Sequence, residues 1–208
     1  LILESPIYQA VMAGLARLLG YSEGLGRIIS IIAGIISGLS LYILVKSISR
    51  NRFIPLFTLV FFWFYPLAIF VQRAILIESF TLMLHLIALA VWFAFLRTNR
   101  IWLYLPAIVV SILAIVSKVT YGPVLLLFMF LLGFYVHGIK ILKTPQIWIF
   151  FISVSSAVYF WQSISDQLNI LSNQAFFTSQ NKEHWFWNIG TLRERFDLSA
   201  WYYRLRDI

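Results

Sequence analysis

Six long stretches without a charged residue recur along the chain and predict membrane-spanning helices. Each stretch is 17 to 22 residues long, and a helix needs about 20 apolar residues to cross the hydrocarbon core of a bilayer. Transmembrane β-strands are shorter and alternate in polarity, which these stretches do not. The pattern therefore predicts an all-α polytopic membrane protein with six spans. The stretches are residues 28–45, 53–72, 79–96, 101–117, 119–136 and 144–165.

The part of the chain before the first span predicts a shorter, amphipathic helix. Apolar residues recur at helical spacing after Pro6, a residue that suits the start of a helix, whereas Gln9 and Arg17 fall on the other face. We expect this helix to lie along the membrane interface. Three domains are predicted: 1–26, an extracytoplasmic loop with the interfacial helix; 27–161, a six-helix transmembrane region; and 162–208, the start of an extracytoplasmic segment.

Small and helix-breaking residues mark two of the spans. Gly34 and Gly38 in the first span have the G-x-x-x-G spacing that lets two helices pack closely. Pro55 and Pro66 in the second span are expected to kink that helix or to mark its ends.

Composition agrees with a membrane location. The chain is 61% hydrophobic and 12% charged, its mean hydropathy is +0.87, and soluble domains carry about 25% charged residues. The sequence contains no cysteine, which leaves out a disulfide framework and a thiolate metal site.

The distribution of charge predicts the orientation. The loops after the first, third and fifth spans hold seven basic residues and no acidic one, whereas all eight acidic residues fall on the other side. Short loops rich in Lys and Arg stay in the cytoplasm, so the acidic side is expected to face outward across the cell (inner) membrane. The net charge of +8 is then a topology signal, and no nucleic-acid partner is expected.

Several polar residues at the predicted outer side are candidates for a site. Glu78 begins the third span, where it is stabilised either by the helix dipole or by a cavity or partner. Arg73 either pairs with Glu78 or binds a phosphate at the interface. His85 lies seven residues after Glu78, on nearly the same helix face, and is interpreted as a packing residue. Lys118 either extends to the headgroups or contacts an anionic headgroup.

Four motifs in this order resemble a known family. They are "ESPIY" (4–8), "GYSEGLGRIISIIAG" (20–34), "RAILIESF" (73–80) and "SKVTYG" (117–122). Their order, spacing and sidedness are similar to those of the dolichyl-phosphate-mannose–protein mannosyltransferase superfamily of membrane glycosyltransferases. This superfamily includes the lipid A aminoarabinose transferases and other family 39 glycosyltransferases. The resemblance covers nearly the whole chain, and each single motif is degenerate.

The resemblance implies a GT-C-like helix bundle and inverting transfer of a sugar from a polyprenyl-phosphate donor at the extracytoplasmic face. The acceptor is a lipid, protein or glycan. Glu4, Pro6 and Tyr8 match an outer-loop motif of the family, in which Ser5 departs from the usual lysine or proline, and Arg27 matches an arginine at the start of the next helix. The catalytic aspartate that follows the family's first helix is absent, so we expect this chain to be a fragment, inactive alone, with that residue upstream.

The resemblance also assigns roles to residues of the later motifs. Glu78 matches a carboxylate that is usually aspartate, and it is the predicted catalytic residue within this chain. Lys118 matches a lysine near the outer end of the next helix. The predicted ligands of the donor phosphate are Arg73, Lys118, Tyr8 and Tyr121. Positive charge there suits a departing lipid phosphate.

A divalent metal is a further candidate, with Glu4 and His184 as its ligands. His184 lies in "KEHWFW" (182–187), which resembles an outer segment of the aminoarabinose transferases, and an exposed loop histidine is the favoured alternative. The rival functional class is a transporter or flippase of a lipid-linked substrate, which predicts charged residues near the middle of the bilayer and often an inverted repeat. A membrane scaffold without activity accounts for the apolar stretches but not for polar residues on one side.

Overall fold

The described part of the chain is helical throughout. The structure, a computed structural model, describes residues 4–73, 77–173, 178, 179 and 181, of which 88% are helical and none is in a strand. The helices are α1 (Ile7–Leu19), α2 (Glu23–Ile48), α3 (Phe53–Phe64), α4 (Pro66–Arg73), α5 (Ile77–Thr98), α6 (Ile101–Ser117), α7 (Gly122–His137) and α8 (Pro145–Leu171). Two 3₁₀ turns, Val119–Tyr121 and Gly138–Lys143, flank α7.

Four helical segments among the described residues are long and apolar enough to cross a membrane. They are Glu23–Ile48, Ile77–Thr98, Val119–Lys143 and Pro145–Leu171. The described part of the chain is therefore helical, with apolar helices long enough for a membrane protein, as the apolar stretches predict. The remaining two predicted spans correspond to shorter helices, since α6 has 17 residues and α3 has 12, and the count of six spans stays a prediction.

The second predicted span is divided into two helices. Residues 53–72 form α3 and α4, which are separated at Tyr65, where the backbone is extended (φ −67°, ψ 123°). The cause is Pro66, because a proline ring excludes the preceding residue from the helical region and cannot donate to the carbonyl four residues earlier. The other proline, Pro55, is buried in the first turn of α3 and does not break it.

The predicted domain boundaries differ from the helix ends by several residues. α2 begins at Glu23 rather than after residue 26, because the Ser22 hydroxyl accepts the Leu25 N–H (3.2 Å) and so caps the helix. α8 continues beyond residue 161 to Leu171. The chain divides into two compact units, Glu4–Tyr159 and Phe160–Ile208 with Leu1–Leu3. In the second unit, the Asp166 carboxylate accepts bonds from Gln162 (3.1 Å) and from the Ser179 N–H (2.9 Å).

The core of the first unit is built around α5. Trp92 in α5 is fully buried, stacks on Phe150 of α8 with ring centroids 4.0 Å apart, and donates its indole N–H to the Met129 carbonyl of α7 (3.0 Å). A buried indole needs a partner for its N–H, and here that partner is a main-chain carbonyl. One side chain thus joins three helices, and α5 is held between α2, α6 and α7.

The glycine pair of α2 provides a close contact with α3, as its spacing predicts. The Trp63 indole of α3 lies over Gly38 and donates its N–H to the Gly34 carbonyl (3.3 Å). A Cβ added at Gly38 meets the indole nitrogen, and it meets Trp63 Cε2 at 2.8 Å. Position 38 therefore requires glycine, because the Trp63 indole fills the space that a larger side chain would occupy.

We predict that Gly38→Ala destabilises the protein by about 1–3 kcal/mol, because the methyl group displaces the Trp63 indole. The matched control is Gly14→Ala in α1, where an added Cβ meets nothing within 4 Å; alanine is there expected to be neutral or to stabilise by up to about 1 kcal/mol. Thermal unfolding in the same nanodisc measures both variants. Equal effects of the two substitutions would contradict the Trp63 contact.

Candidate functional site

The candidate site is a cluster of one cation and two carboxylates, here called the Lys118 cluster. Lys118 Nζ donates to Glu78 Oε1 at 2.6 Å, and Glu4 Oε1 lies 4.0 Å from the same nitrogen. The three side chains are 17% (Lys118), 33% (Glu78) and 34% (Glu4) exposed. These residues are far apart in the sequence, so the fold itself brings them together.

Three junctions of the backbone position the cluster. Glu78 occupies the first turn of α5. Lys118 ends α6, where its extended backbone (φ −154°, ψ 89°) redirects the chain into the following 3₁₀ turn. Ser5 donates its N–H to the Val116 carbonyl (2.8 Å), which ties the segment with Glu4 to the end of α6. All three side chains therefore lie at one end of the pair α5–α6.

Aromatic rings lie beside the cluster. Lys118 Nζ is 5.2 Å from the centre of the Tyr121 ring, within the range of a cation–π contact. Tyr8 packs on Phe80 of α5, with ring centroids 5.8 Å apart, and is buried. Burial raises the pKa of Tyr8, which the Ser30 hydroxyl partly offsets. Tyr121 thus contacts the cation directly, whereas Tyr8 anchors α1 against α5.

The electrostatics of the cluster favour the ion pair. Burial by itself lowers the pKa of Lys118, but the hydrogen bond and charge of Glu78 outweigh it, and the pKa lies above its ordinary value. Burial raises the pKa of Glu4, and the nearby Lys118 charge opposes that shift. With both carboxylates ionised, one ammonium faces two negative charges, which leaves the cluster with a net charge of −1.

The adjoining face of α5 presents buried polar atoms that have no hydrogen-bond partner among the described residues. They are Glu78 Oε2, Thr81 Oγ1 and His85 Nε2, and spacings of three and four residues place them on one helix face. His85 Nδ1 lies 2.8 Å from the Thr81 carbonyl, which only accepts, so in the neutral ring Nε2 is an acceptor. Buried polar groups in proteins are nearly always hydrogen-bonded. This face can therefore receive a polar ligand.

An apolar cleft opens next to the same turn of α5. It has a volume of about 400 Å³. Its lining, from α2, α3, α4 and α5, includes Gly34, Leu41, Phe61, Tyr65, Val71 and Leu82. Ser79 also lines it and donates its hydroxyl to the Val71 carbonyl (2.8 Å). Because Ser79 directly follows Glu78 in the chain, the first turn of α5 contributes one residue to the Lys118 cluster and the next residue to the cleft.

The structure brings together some of the residues predicted from the sequence. Glu4, Glu78 and Lys118 meet at one point, with Tyr121 beside them. Glu78 pairs with Lys118. The sequence singled out both residues but did not predict this pairing. Arg73 ends α4, but its side chain lies outside what the structure describes, and so does the whole of His184.

Of the two predicted metal ligands, only Glu4 lies in the described part of the chain, so the pair with His184 stays a prediction. No group of three or more His, Asp or Glu side chains that could hold a metal occurs among the described residues. The Lys118 ammonium already takes the position of a cation between Glu4 and Glu78. The observed donor set therefore fits an ammonium better than a divalent metal at this point.

Two residues of the site were missed from the sequence. Thr81 and Ser79 are buried on α5, and a small hydroxyl residue in an apolar run is easily taken for packing. For Thr81, the signal was its spacing of three residues from Glu78 and four from His85.

Comparison with known proteins adds no family. No family model matches the chain, and no curated protein or solved structure is significantly similar to it.

We predict that Lys118→Met destabilises the protein by about 1–3 kcal/mol at neutral pH, because Glu78 and Glu4 lose their half-buried cation. The loss should shrink as the pH falls, since protonation of the carboxylates removes the uncompensated negative charge. Thermal unfolding of wild type and variant across pH 4–9 in one nanodisc measures the difference.

The matched control is the exposed pair of Arg27 and Glu23 in α2, whose side chains are 60% and 72% exposed. Arg27→Met should cost about 0.5 kcal/mol or less, because exposed i,i+4 pairs contribute little. The prediction would be contradicted if the stability lost in Lys118→Met did not depend on pH, or if Arg27→Met lost as much. Either result would show that Lys118 is not energetically coupled to Glu78 and Glu4.

Proposed function

We propose that this chain is the part of a membrane glycosyltransferase that binds a polyprenyl-phosphate sugar and assists inverting transfer of the sugar to an acceptor at the extracytoplasmic face. The proposal includes a GT-C-like arrangement with six membrane crossings and location in the cell (inner) membrane. The observation that carries the proposal is the polar Lys118 cluster and the apolar cleft sharing one turn of α5.

The paired polar and apolar surfaces match the chemistry of such a donor. A polyprenyl-phosphate sugar has a polar head, with a phosphate and a sugar, on a long apolar chain. The apolar cleft suits the polyprenyl chain. Sugar hydroxyl groups suit Glu78 Oε2, Thr81 Oγ1 and His85 Nε2, which have no hydrogen-bond partner among the residues that the structure describes. Both surfaces lie within the first unit of the chain.

The reaction requires a base and a stabilised leaving group. An acceptor oxygen bonds to the anomeric carbon, the bond from that carbon to the phosphate oxygen breaks, the acceptor proton passes to a carboxylate, and polyprenyl phosphate departs. The departing phosphate is assigned to the ammonium of Lys118, the cation of the cluster, and Arg73 stays its second predicted ligand. Glu78 holds that ammonium in place.

The charge of the cluster constrains this mechanism. Because two carboxylates surround Lys118, the cluster repels a phosphate unless one carboxylate is protonated or turned away. Glu4 is the better candidate for that change, since burial raises its pKa and it lies 4.0 Å from Lys118, compared with 2.6 Å for Glu78. Donor binding is therefore expected to be accompanied by proton uptake at Glu4.

Transport of a lipid-linked substrate is the alternative function. In the described part of α5 the charged residues lie in the first and last turns, which suits a site at one end of the helix rather than a path across the bilayer. A vesicle assay separates the two, because transport moves the substrate unchanged whereas transfer releases polyprenyl phosphate.

We predict that Glu78→Gln lowers release of polyprenyl phosphate by about 100-fold or more, since a positioned carboxylate contributes about that much to proton transfer or to the alignment of a charge. The measurement uses the complete gene product in proteoliposomes, with a panel of polyprenyl-phosphate sugars. Released polyprenyl phosphate is counted because it forms with any sugar and any acceptor.

The control is Glu23→Gln, which removes an exposed carboxylate from the first turn of α2 and should leave release unchanged. Glu78→Asp keeps the charge and should retain more activity than Glu78→Gln. Unchanged release in Glu78→Gln and Lys118→Gln, with folded protein by thermal unfolding, would exclude the proposed site.

A second prediction concerns the apolar cleft. Ala68→Phe fills part of it, and we expect weaker use of a long-chain donor, by about tenfold in kcat/KM, with little effect on a short-chain donor. The control Val60→Phe adds a ring at a position of α3 that is 53% exposed. Equal sensitivity of the two donors to Ala68→Phe would mean that the cleft does not hold the chain of the donor.

A further inference from the structure

A second cavity lies at the other ends of α2 and α5, away from the Lys118 cluster. It has a volume of about 570 Å³. Lys46, Ser47 and Arg50 line it from the last turn of α2 and the following loop, Arg97 from the last turn of α5, and Tyr135 from α7. We call it the basic cavity. All of its lining residues belong to the first compact unit.

Three basic side chains converge on the basic cavity without an acidic one among its lining residues. The segments of the chain that form the cavity hold no acidic residue, since the sequence has no Asp or Glu at positions 24–77 or 79–165. Lys46 lies 5.6 Å from the Tyr42 ring and Arg97 6.0 Å from the Phe93 ring. These two cations therefore rest on aromatic faces, which leave their charge uncompensated.

Attraction to helix dipoles is the ordinary explanation for basic residues at helix C-termini. Here several of the terminal carbonyls already have donors. Arg97 Nη1 donates to the Ser47 carbonyl at the end of α2. Two backbone bonds cap the helix ends, from the Ser49 N–H to the Val45 carbonyl (2.8 Å) and from the Asn99 N–H to the Phe95 carbonyl (2.7 Å). Carbonyls that are already bonded repel an anion less. An arginine has five N–H donors in a planar fork, and this bond to Ser47 uses one of the Arg97 donors while fixing its side chain.

We propose that the basic cavity binds the phosphate of an anionic membrane lipid. Basic pockets between transmembrane helices take lipid headgroups, and this one lies where two candidate spans, Glu23–Ile48 and Ile77–Thr98, end. Arg97 and Arg50 supply forked donors that match phosphate oxygens, Lys46 supplies a point charge, and the Tyr135 side chain provides a hydroxyl. The site does not depend on the function proposed for the opposite end.

The test compares two double variants with the same change of charge. Lys46→Gln/Arg50→Gln removes two cations that line the cavity. Arg52→Gln/Arg100→Gln removes two cations from the loops after α2 and α5 that do not line it. Native mass spectrometry of the complete gene product measures binding of phosphatidylglycerol, with phosphatidylcholine and inorganic phosphate as separate arms. Thermal unfolding in detergent without lipid confirms that each variant folds.

We expect wild type and Arg52→Gln/Arg100→Gln to bind phosphatidylglycerol in preference to phosphatidylcholine. Binding to Lys46→Gln/Arg50→Gln should be at least about tenfold weaker, because each basic side chain near a phosphate contributes about a factor of five. Equal weakening in both double variants would overturn the proposal, since it would show an effect of net charge alone. Binding of inorganic phosphate that needs Lys46 and Arg50, without a preference for phosphatidylglycerol, would overturn the assignment to a lipid.

Discussion

The cost of placing a charge in a medium that cannot solvate it governs the polar part of this structure. Lys118 lies between two apolar helical segments and is tolerable there because Glu78 meets its ammonium at 2.6 Å. That pairing requires α6 to end beside the first turn of α5, and the Ser5–Val116 bond then brings in Glu4. The need to pair this charge therefore fixes the register of α5 against α6 and the position of the segment before α1. The neighbouring apolar cleft depends on the same turn of α5.

The sequence predicts the helix bounds of this arrangement better than it predicts the contacts between helices. The bounds of α6 coincide with an uncharged run, because Arg100 and Lys118 are polar limits that the helix respects. Pro66 predicts that the helix is kinked or ends near this position, but the sequence alone does not distinguish a kink from the break observed at Tyr65. The Lys118–Glu78 pair joins residues 40 positions apart. Local patterns place both residues at one side of the membrane, but only tertiary packing brings Lys118 to Glu78.

The two ends of α5 have opposite chemical characters. At one end, two carboxylates face one cation among the described residues, and polar atoms without a partner in that part of the chain extend into the helix as far as His85. At the other end, Arg97 and its neighbours form a cavity without an acid. Between them, Trp92 locks the helix to α7 and α8 with a buried indole. The rigid middle keeps two sites of unlike charge at a fixed separation, so that a change at one end need not disturb the other.

The interruption at Tyr65 has a consequence for the surrounding lipid. At 1.5 Å per residue, the 12 residues of α3 rise about 18 Å and the 8 of α4 about 12 Å. Only if the two were collinear would they reach the roughly 30 Å of a hydrocarbon core. A bend between them shortens this crossing below that length if the pair traverses the bilayer. Such hydrophobic mismatch is relieved by local thinning of the membrane, and the thinned lipid would lie beside the mouth of the apolar cleft.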